Sequence, residues 1–422
     1  MAKQPQSILG IDIGVQAIKG VQLKCQGKKS VITHVGWVPT PTGAVNALGI
    51  LDAAEISTAL KELFDQAGFT TRQMVLSLSG QNAIFVRALQ IPPLAGEALK
   101  EMMAKEMAAS HPFGESKTLM DYCIYPAPPG SSSSLDAVFA IASELAVSSL
   151  QDLIKESGKS LFALDIEPLA LGRSLDFNYG QEIQGQTICL VDFGHTKTSI
   201  NIYRDSKLLM PRQLPIGGFE LTRLISENFH LSLEEAEEIK KKRVPLLDLN
   251  WEESFSSESK EQDIMHESQT ESLGVDIPYE PYSPFSSYEE MDQEEQVKAV
   301  SLGGYESEQE YGQGLPLDEG SKVTLLQNSI RFALEEFAGE IRRSIEYFSY
   351  QQGKVDRLLL CGGVSNIKNI EAYFSKTVGL PCEKLNPFRS ASLQTNPAGM
   401  DLIEQHSQEF AVAMGNALYV VY

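Results

Sequence analysis

The sequence predicts an α/β fold built from two similar lobes, and three observations lead to this prediction. Strand patterns alternate with helix patterns along most of the 422 residues, as expected when helices cover a sheet. The opening pattern, an apolar strand followed by two further strands, is repeated in outline in the second half of the chain. Each copy begins with a strand that ends in Asp-x-Gly, at Asp12 and at Asp192. The repeat predicts a duplicated architecture.

The first half contains a three-stranded meander followed by a denser block of strands and helices. Segment Asp52–Ala67 is predicted to be a helix, because apolar residues such as Ile56 and Leu60 recur at helical spacing and Gly68 follows. The remaining predicted elements are strands Ile8–Ile13, Ile18–Gln26, Ser30–Val38, Met74–Ser79, Ala83–Ile91, Asp121–Tyr125 and Ala137–Ala142, helices Gly96–Ala109 and Leu145–Glu156, and a loop at Gly130–Ser134.

The second half repeats the meander and then adds a strand that runs into two glycines. The predicted elements are strands Thr187–Asp192, Ser199–Arg204, Lys207–Pro215 and Arg357–Cys361, and helices Phe219–Asn228, Ser232–Lys242 and Ile367–Val378, with helical order resuming near Val323. The apolar run Phe410–Tyr422 is too short to span a bilayer, so it is predicted to be a helix or strand of the core.

The charge of the chain is concentrated in one stretch. The net charge is −21, and residues 246–320 hold twenty acidic residues against two basic ones, Lys260 and Lys298. This stretch shows no lasting apolar period and is predicted to be a disordered insertion, either a solvated spacer, which is the favoured interpretation, or a binder of a basic partner. An acidic chain argues against nucleic acid as a ligand and against direct adsorption to an anionic membrane.

The cysteines indicate a reducing compartment. They are odd in number, far apart and set in apolar runs, which predicts buried free thiols: Cys25, Cys123, Cys189, Cys361 and Cys382. No signal peptide and no run of 18 apolar residues is seen, so we expect a cytoplasmic protein without a membrane span.

The two Asp-x-Gly turns suggest phosphate chemistry. An apolar strand that ends in Asp-x-Gly places a carboxylate at the carboxyl edge of a sheet, beside a tight turn whose backbone N–H groups approach a phosphate closely. Two facing turns would clamp a nucleotide's phosphates, with Asp12 and Asp192 holding Mg²⁺ through water. The Gly362-Gly363 turn between a strand and a helix would let an adenosine lie against the backbone.

These residues resemble the actin, sugar-kinase and chaperone ATPase superfamily. Gly10-Ile-Asp-Ile-Gly14 is similar to its first phosphate motif, Leu190-Val-Asp-Phe-Gly-His-Thr-Lys-Thr198 to its second, and Leu360-Cys-Gly-Gly-Val-Ser-Asn366 to its adenosine motif. Asp165-Ile-Glu-Pro-Leu-Ala170 resembles its connecting helix. The resemblance implies a two-lobed actin-like ATPase fold of the ribonuclease H-like type, with ATP and Mg²⁺ as ligands.

The resemblance also implies individual roles. Glu167 and Asp192 would be catalytic, Glu167 orienting the attacking water for slow hydrolysis, and Asp12 and Asp192 would hold the metal. Implied nucleotide-binding residues are Asp12, Gly14, Val15, Gln16, Lys19, Gly194, His195, Thr196, Thr198, Gly217, Gly218, Glu340, Arg343, Gly362, Gly363 and Val364. Two alternatives stay open: His195 as a surface residue rather than a phosphate donor, and Glu167 as a carboxylate favoured by the helix N-terminus.

Within the superfamily the match narrows to the PilM-type family of type IV pilus assembly, which is related to FtsA. The segments that carry this resemblance are Arg87-Ala-Leu-Gln-Ile-Pro92, His111-Pro-Phe113 with Asp121-Tyr122, Gly217-Gly218 with Leu221-Thr222, Ile341-Arg-Arg-Ser-Ile-Glu-Tyr347 and Leu385-Asn-Pro-Phe388. It implies an ATP-binding scaffold beneath the inner membrane that captures the N-terminal cytoplasmic tail of a PilN-like membrane protein. Contacts with other platform proteins are implied, and contacts with motor ATPases and self-association are left open.

The resemblance divides the chain into four parts. Residues 1–80, 159–185 and 381–422 would form lobe one, and 81–158 a small α/β domain inserted in it, of the kind called SHS2. Lobe two would comprise 186–245 with 321–380, interrupted by the acidic insertion.

One departure from the family concerns the first phosphate turn. The family usually has small hydroxyl residues after the first glycine, where this chain has Val15 and Gln16. A side-chain hydroxyl contact to phosphate is therefore missing, and hydrolysis is expected to suffer more than binding. The alternatives to the pilus scaffold are a type II secretion subunit, an FtsA-like division adaptor and a small-molecule kinase. The chain lacks the membrane helix, basic amphipathic tail and sugar-recognition pattern that these would need.

Overall fold

The computed structural model describes residues 5–26, 29–114, 116–126, 134–244 and 319–422. The predicted loop at Gly130–Ser134 and the acidic insertion lie almost entirely outside these residues.

All described sheets belong to one of two compact units, Met1–Leu249 together with Asn328–Tyr422. The other unit, Asn250–Gln327, contributes only the beginning of one helix to the described residues.

The described elements agree in type and order with most of those predicted. The strands are β1 (Ser7–Ile13), β2 (Ala17–Gln26), β3 (Lys29–Pro39), β4 (Val45–Asn46), β5 (Gly49–Ile50), β6 (Gln73–Leu78), β7 (Ile84–Ile91), β8 (Thr118–Ile124), β9 (Leu135–Ser143), β10 (Ser160–Ile166), β11 (Thr187–Phe193), β12 (Thr198–Arg204), β13 (Lys207–Leu214), β14 (Arg357–Gly362), β15 (Cys382–Lys384) and β16 (Ser392–Leu393). The helices are α1 (Ala53–Ala67), α2 (Gly96–Ala109), α3 (Glu144–Glu156), α4 (Glu167–Tyr179), α5 (Gly218–Phe229), α6 (Leu233–Arg243), α7 (Glu319–Gln352), α8 (Ile370–Val378), α9 (Pro397–His406) and α10 (Ala411–Ala417).

Two sheets share one topology, which confirms the predicted duplication. The six-stranded sheet has the order β10-β6-β1-β2-β3-β16, and the five-stranded sheet has the order β15-β14-β11-β12-β13. In both, the first strand pairs antiparallel with the second strand of its meander and parallel with the strand on its other side. The register also repeats, because Asp12 faces Lys19 across β1 and β2, and Asp192 faces Ser199 across β11 and β12.

The central strands are apolar because both of their faces are covered. The run Ile188–Val191 of β11 and the run Ile8–Ile11 of β1 are buried, as is typical of strands within a helix-covered parallel region. The carboxylates of these two strands lie at their carboxyl ends. The sheets therefore fix the positions of Asp12 and Asp192.

The C-terminal helix α10 packs against β1 and α4 at backbone contact, as its buried sequence predicts. A Cβ atom at Gly10 would overlap with the backbone of Ala413 and Ala417, and one at Gly415 would overlap with the carbonyl of Ala170. These glycines are needed because three segments of backbone meet with no room for side chains.

The block between β6 and β10 contains a separate three-stranded sheet of order β7-β9-β8. With α2 it forms a small core of its own around Ile91, Met103 and Phe139. Helix α3 differs from the division proposed above, since Leu150 and Leu153 pack with the core that contains α1. The apolar face of α3 covers the six-stranded sheet rather than the small one.

Other differences have local causes. Strand β10 was not predicted, and the predicted helix Ile367–Val378 is instead a 3-10 turn, Gly363–Asn366, followed by α8. Asn369, with φ of 60°, adopts a left-handed conformation that separates the two. The prediction that the cysteines are buried holds for Cys189 and Cys361. It was wrong for Cys123, which is exposed on β8, and Cys25 and Cys382 are only half-buried. No described helix is long and apolar enough to cross a membrane.

We expect Gly415→Ala to lower the free energy of unfolding by about 3 kcal/mol or more, because the added methyl group overpacks the contact between α10 and α4. Gly363→Ala is the matched control, since a Cβ there meets no atom within 4 Å. Urea denaturation of both variants measures the difference. Equal stability of the two variants would show that α10 does not depend on this close approach.

Candidate functional site

The two Asp-x-Gly turns lie at equivalent ends of β1 and β11. Strand β1 is flanked by the parallel strand β6, and β11 by the parallel strand β14. Asp12 and Asp192 therefore stand at the carboxyl edges of the two sheets, as the sequence predicts. Ligands of open α/β sheets bind at this edge.

A group of five ionisable side chains, which we call the charge cluster, lies where the two edges meet. It consists of Asp12, Lys19, Glu167, Asp192 and Lys197. Lys19 Nζ is 2.7 Å from Asp12 Oδ2, and Lys197 Nζ is 2.5 Å from Glu167 Oε2. The charges of Asp12 and Asp192 act on both lysines. The structure thus brings together acidic residues from both halves of the chain.

The cluster is short of positive charge. Burial, together with the charges of Glu167 and Asp12, raises the pKa of Asp192 to about 7. A cation near Asp192 would relieve this repulsion. Among the described residues, no group of three or more His, Cys, Asp and Glu side chains is arranged to hold a metal ion. A magnesium ion there would need water and phosphate oxygens as further ligands, which suits its chemistry.

Glu167 begins helix α4 and is held by two donors. Its Oε2 accepts from Lys197 Nζ, and its Oε1 accepts a short hydrogen bond from Ser199. Burial alone would raise the pKa of Glu167, but the charge of Lys197 and these hydrogen bonds keep it below its ordinary value. Lys197 also donates to Ser79 Oγ, 3.2 Å away. Lys197 and Ser199 are site residues that the sequence analysis missed, although both lie in or beside the second phosphate motif.

The turn after β14 is shaped by the carboxylate of Asp192. Gly362 has φ of 81°, and a Cβ atom there would overlap with Asp192 and with the backbone of Phe193. Gly363 differs, because its missing side chain leaves open space. Gly362 is therefore needed for the approach of two strands, whereas Gly363 offers an unobstructed backbone to a ligand.

The Gly217-Gly218 turn packs on the second Asp-x-Gly turn. Gly218 N–H donates to the carbonyl of Gly194 at 2.8 Å, and the next amide donates to the carbonyl of His195 at 2.7 Å. A Cβ atom at Gly217 would lie 2.7 Å from the carbonyl oxygen of Gly194, and one at Gly218 would lie 3.2 Å from Val364. Three predicted segments thus converge around Gly194.

The first and second phosphate turns touch through Gln16 and His195, whose Nε2 atoms are 3.1 Å apart. Burial, with the nearby charge of Lys240, lowers the pKa of His195 to about 4, so its ring is neutral. Gly14 accepts a hydrogen bond from Thr40 Oγ1. Val15 packs against the core of the six-stranded sheet and presents no polar atom to a phosphate.

The two predicted threonines differ in their surroundings. Thr198 is fully buried, and its hydroxyl donates to the carbonyl of Ile216 at 2.8 Å. It therefore supports the fold between β12 and α5. Thr196 lies in the turn itself and is partly exposed.

Glu340 and Arg343, two of the implied nucleotide-binding residues, belong to a second charged group that involves α5 and α7. Glu340 pairs with Arg212 at 2.9 Å and with the exposed Arg343. The charges of Glu220, on the first turn of α5, and of Glu340 both act on Glu336. Of this group, Glu220 lies on α5, which starts at the Gly217-Gly218 turn, whereas Glu340 and Arg343 lie on α7.

Helix α6 adds a lysine that the sequence analysis missed. Lys240 Nζ donates to the carbonyl of Gly218 at 3.0 Å and to Thr222 Oγ1 at 2.8 Å, and it pairs with Glu237 at 2.6 Å. The sequence showed only a basic helix end, which is common at C-termini of helices. In the fold, Lys240 places a positive charge next to the glycine turn.

Glu409, just before α10, is a further missed residue. Its Oε1 accepts from Asn366 Nδ2 at 2.8 Å and lies 3.0 Å from His406 Nδ1. Its charge also acts on Lys19. Glu409 thus links the turn after β14 to the charge cluster, and no motif in the sequence marks it.

We expect Lys197→Met to lower the free energy of unfolding by about 3 kcal/mol, because it leaves Glu167 buried without its cation. The double variant Glu167→Gln, Lys197→Met should recover much of this loss, since it removes both charges. The control is Lys100→Met, whose pair with Glu97 is exposed and should contribute less than about 1 kcal/mol. Urea denaturation measures all three. A Lys197→Met effect as small as the control would contradict a tightly paired cluster.

Comparisons with known proteins agree with this geometry. A family model described as type IV pilus assembly protein PilM matches residues 10–253, and one described as cell division protein FtsA matches residues 189–415. The cell division protein FtsA of Bacillus subtilis (strain 168) is 22% identical over 255 residues. That match covers 55% of this chain and 57% of the relative, so the chain spans little more than half of the relative's length.

Among solved structures, a chain of a PilM-PilN type IV pilus biogenesis complex has the same fold. Its TM-score is 0.72 at 21% identity, with 100% of both chains covered. The predicted actin-like α/β fold is confirmed by this likeness and by the repeated sheet topology. Because the PilM model matches more than half of the sequence, the chain belongs to the family of the type IV pilus assembly protein PilM.

Proposed function

We propose that this chain binds ATP between its two Asp-x-Gly turns and serves as a nucleotide-dependent scaffold in type IV pilus assembly. The observation that carries the proposal is the charge cluster, in which Asp12 and Asp192 meet Lys19 and Lys197 at facing sheet edges. Such an arrangement suits a ligand that brings anionic phosphates and a divalent cation together, because it offers groups of both signs.

The nucleotide would run from the turn after β14 to the charge cluster. The backbone at Gly363 is unobstructed and would seat the adenosine. The turns at Gly14 and Gly194 would face the phosphates with backbone N–H groups, and Lys19 would neutralise them. Lys240, beside Gly218, adds a second positive charge near this path.

Mg²⁺, when bound with the nucleotide, supplies charge neutralisation at the phosphates. Asp12 and Asp192 would hold it through water, as the sequence analysis expects. The raised pKa of Asp192, about 7, fits this role because a nearby cation favours the ionised carboxylate.

Hydrolysis would be slow. A general base needs a free oxygen within reach of water, but both oxygens of Glu167 accept hydrogen bonds from Lys197 and Ser199. Glu167 would orient water only after Lys197 moves toward the phosphates. Slow turnover suits a scaffold whose two lobes close on ATP and open after its loss, because each state then persists long enough to bind a partner.

The partner would be the N-terminal cytoplasmic tail of a PilN-like membrane protein, which would hold the chain at the cytoplasmic face of the inner membrane. A chain of a PilM-PilN complex shares this fold. The tail would lie in the groove between lobe one and the inserted domain and extend the small sheet at β8, which among the described strands pairs only with β9. Contacts with other platform proteins would follow from this position.

We expect Asp192→Ala to reduce Mg²⁺-dependent ATP affinity by about 100-fold or more, because it removes a carboxylate that would hold the metal. Isothermal titration with Mg-ATP measures the affinity, and the nucleotide released on denaturing the purified chain gives an independent test. Asp152→Ala is the control, since Asp152 is exposed on α3. Asp192→Asn keeps the shape of the site in case the alanine variant fails to fold. Unchanged affinity in both Asp192 variants would refute the assignment.

The edge of β8 allows a sharp test of peptide capture. The N–H of Tyr122 donates to the side chain of Asp121 at 2.8 Å, so it points away from β9. By the alternation of an antiparallel pair, the N–H of Met120 points outward as well. Met120→Pro therefore removes an outward donor and leaves the ladder with β9 intact.

We expect Met120→Pro to weaken binding of a synthetic PilN-like tail peptide by about tenfold, because strand addition relies on outward backbone donors. Met120→Leu keeps the backbone donor and an apolar side chain, so it should bind as the unaltered chain does. Fluorescence anisotropy of a labelled peptide measures both. Full affinity of Met120→Pro would show that the peptide does not add to β8.

A further inference from the structure

Gln16 and His195 reach toward each other from opposite phosphate turns. Gln16 lies two residues after Gly14, and His195 directly follows Gly194. Their Nε2 atoms are 3.1 Å apart, although 179 residues separate them in the chain. Both side chains therefore point at one position between the turns.

The contact fixes which group donates. The ring of His195 is buried and neutral, so its Nε2 accepts a hydrogen from the Gln16 amide while Nδ1 carries the ring proton. The ring of Phe219 lies edge-on to the His195 ring, with the ring centroids 5.7 Å apart, and limits its movement. The pair is satisfied in this state without any ligand.

The same two nitrogens can both donate to an anion. If the ring proton moves from Nδ1 to Nε2, the net charge of His195 does not change and Nε2 becomes a donor. The amide of Gln16 is already a donor. An oxygen atom that only accepts, such as a phosphate oxygen, would then be bound from both turns at once.

We propose that Gln16 and His195 are specificity-determining residues that recognise the terminal phosphate of ATP and thereby distinguish ATP from ADP. This inference rests on the proposed function. With adenosine at the turn after β14, the phosphate farthest along the path is the one that lies between the two turns. ADP lacks this phosphate and leaves the contact between Gln16 and His195 in place.

The pair also compensates for the missing hydroxyl of the first turn. The side chain of Val15 packs into the core and offers no donor. Gln16 supplies a neutral donor from the next position, with a longer reach. The Gln16 amide can donate to the phosphate only after its hydrogen bond to His195 is broken. Binding of the third phosphate is therefore coupled to loss of the direct contact between the two turns.

A purely structural role gives a different result. If the contact only ties the turns together, its loss weakens ATP and ADP binding alike. If it recognises the terminal phosphate, its loss weakens ATP binding alone. The ratio of the two affinities therefore separates these roles.

The test is isothermal titration of Mg-ATP and Mg-ADP into the full chain and the variants Gln16→Ala, His195→Ala and Gln16→Glu. We expect each alanine variant to bind ATP about tenfold more weakly and ADP within about twofold of the unaltered chain, as for loss of one hydrogen bond to a charged group. Gln16→Glu should weaken ATP binding further, because its carboxylate repels the terminal phosphate. Gln66→Ala, an exposed glutamine on α1, is the matched control.

The outcomes are distinguishable. Equal losses for ATP and ADP, or no loss in Gln16→Ala and His195→Ala, would overturn the inference while leaving ATP binding by the chain intact. Failure of the unaltered chain to bind either nucleotide would instead contradict the proposed function, and this inference with it. Thermal melting of each variant without nucleotide shows whether it is folded.

Discussion

The buried charge cluster is the constraint on which the rest of the site depends. Removing ionised groups from water is unfavourable unless oppositely charged partners and hydrogen bonds compensate for it. Here Lys19 and Lys197 compensate only in part, since Asp192 retains a raised pKa between its acidic neighbours. Asp192 cannot move away from these neighbours, because it lies at the end of a strand that is buried on both faces. An incompletely balanced buried site of this kind is typical of a binding site rather than of a stabilising core.

Close backbone packing attaches the C-terminal segment to β1, the strand that carries Asp12. With no side chain at Gly10, α10 lies directly on β1. Asn416 then bonds to the carbonyl of Ile11 and to Ser77, and so joins α10 to two strands of the six-stranded sheet. Glu409, at the start of the same segment, reaches Asn366 beyond β14. The C-terminal segment therefore touches both sheets, and movement of one sheet relative to the other would have to break or rearrange these contacts.

The sequence predicts those parts of the site that local patterns encode. Asp12 and Asp192 are recognisable because each ends an apolar strand at a glycine turn, and the repeat doubles the signal. Glu409 carries no such signal, because its contacts with Asn366 and Lys19 arise from segments that only the tertiary fold brings together. Strand β10 was missed for a related reason. Its sequence holds only a short apolar run, Leu161–Leu164, and a run of this length does not by itself distinguish a strand from a buried helix segment.

In the proposed function, Glu167 would limit hydrolysis through the same contacts that maintain the fold. Its ion pair with Lys197 joins α4 to the turn before β12. It also accepts a hydrogen bond from Ser199, which occupies the position in β12 that Lys19 occupies in β2. The same contacts occupy both oxygens that could accept a proton from water. Recruiting Lys197 to an anion would free one oxygen but weaken the contact between α4 and β12. Activation of water and retention of this contact therefore oppose each other. If the chain binds ATP as proposed, this opposition would favour long-lived nucleotide states over rapid turnover.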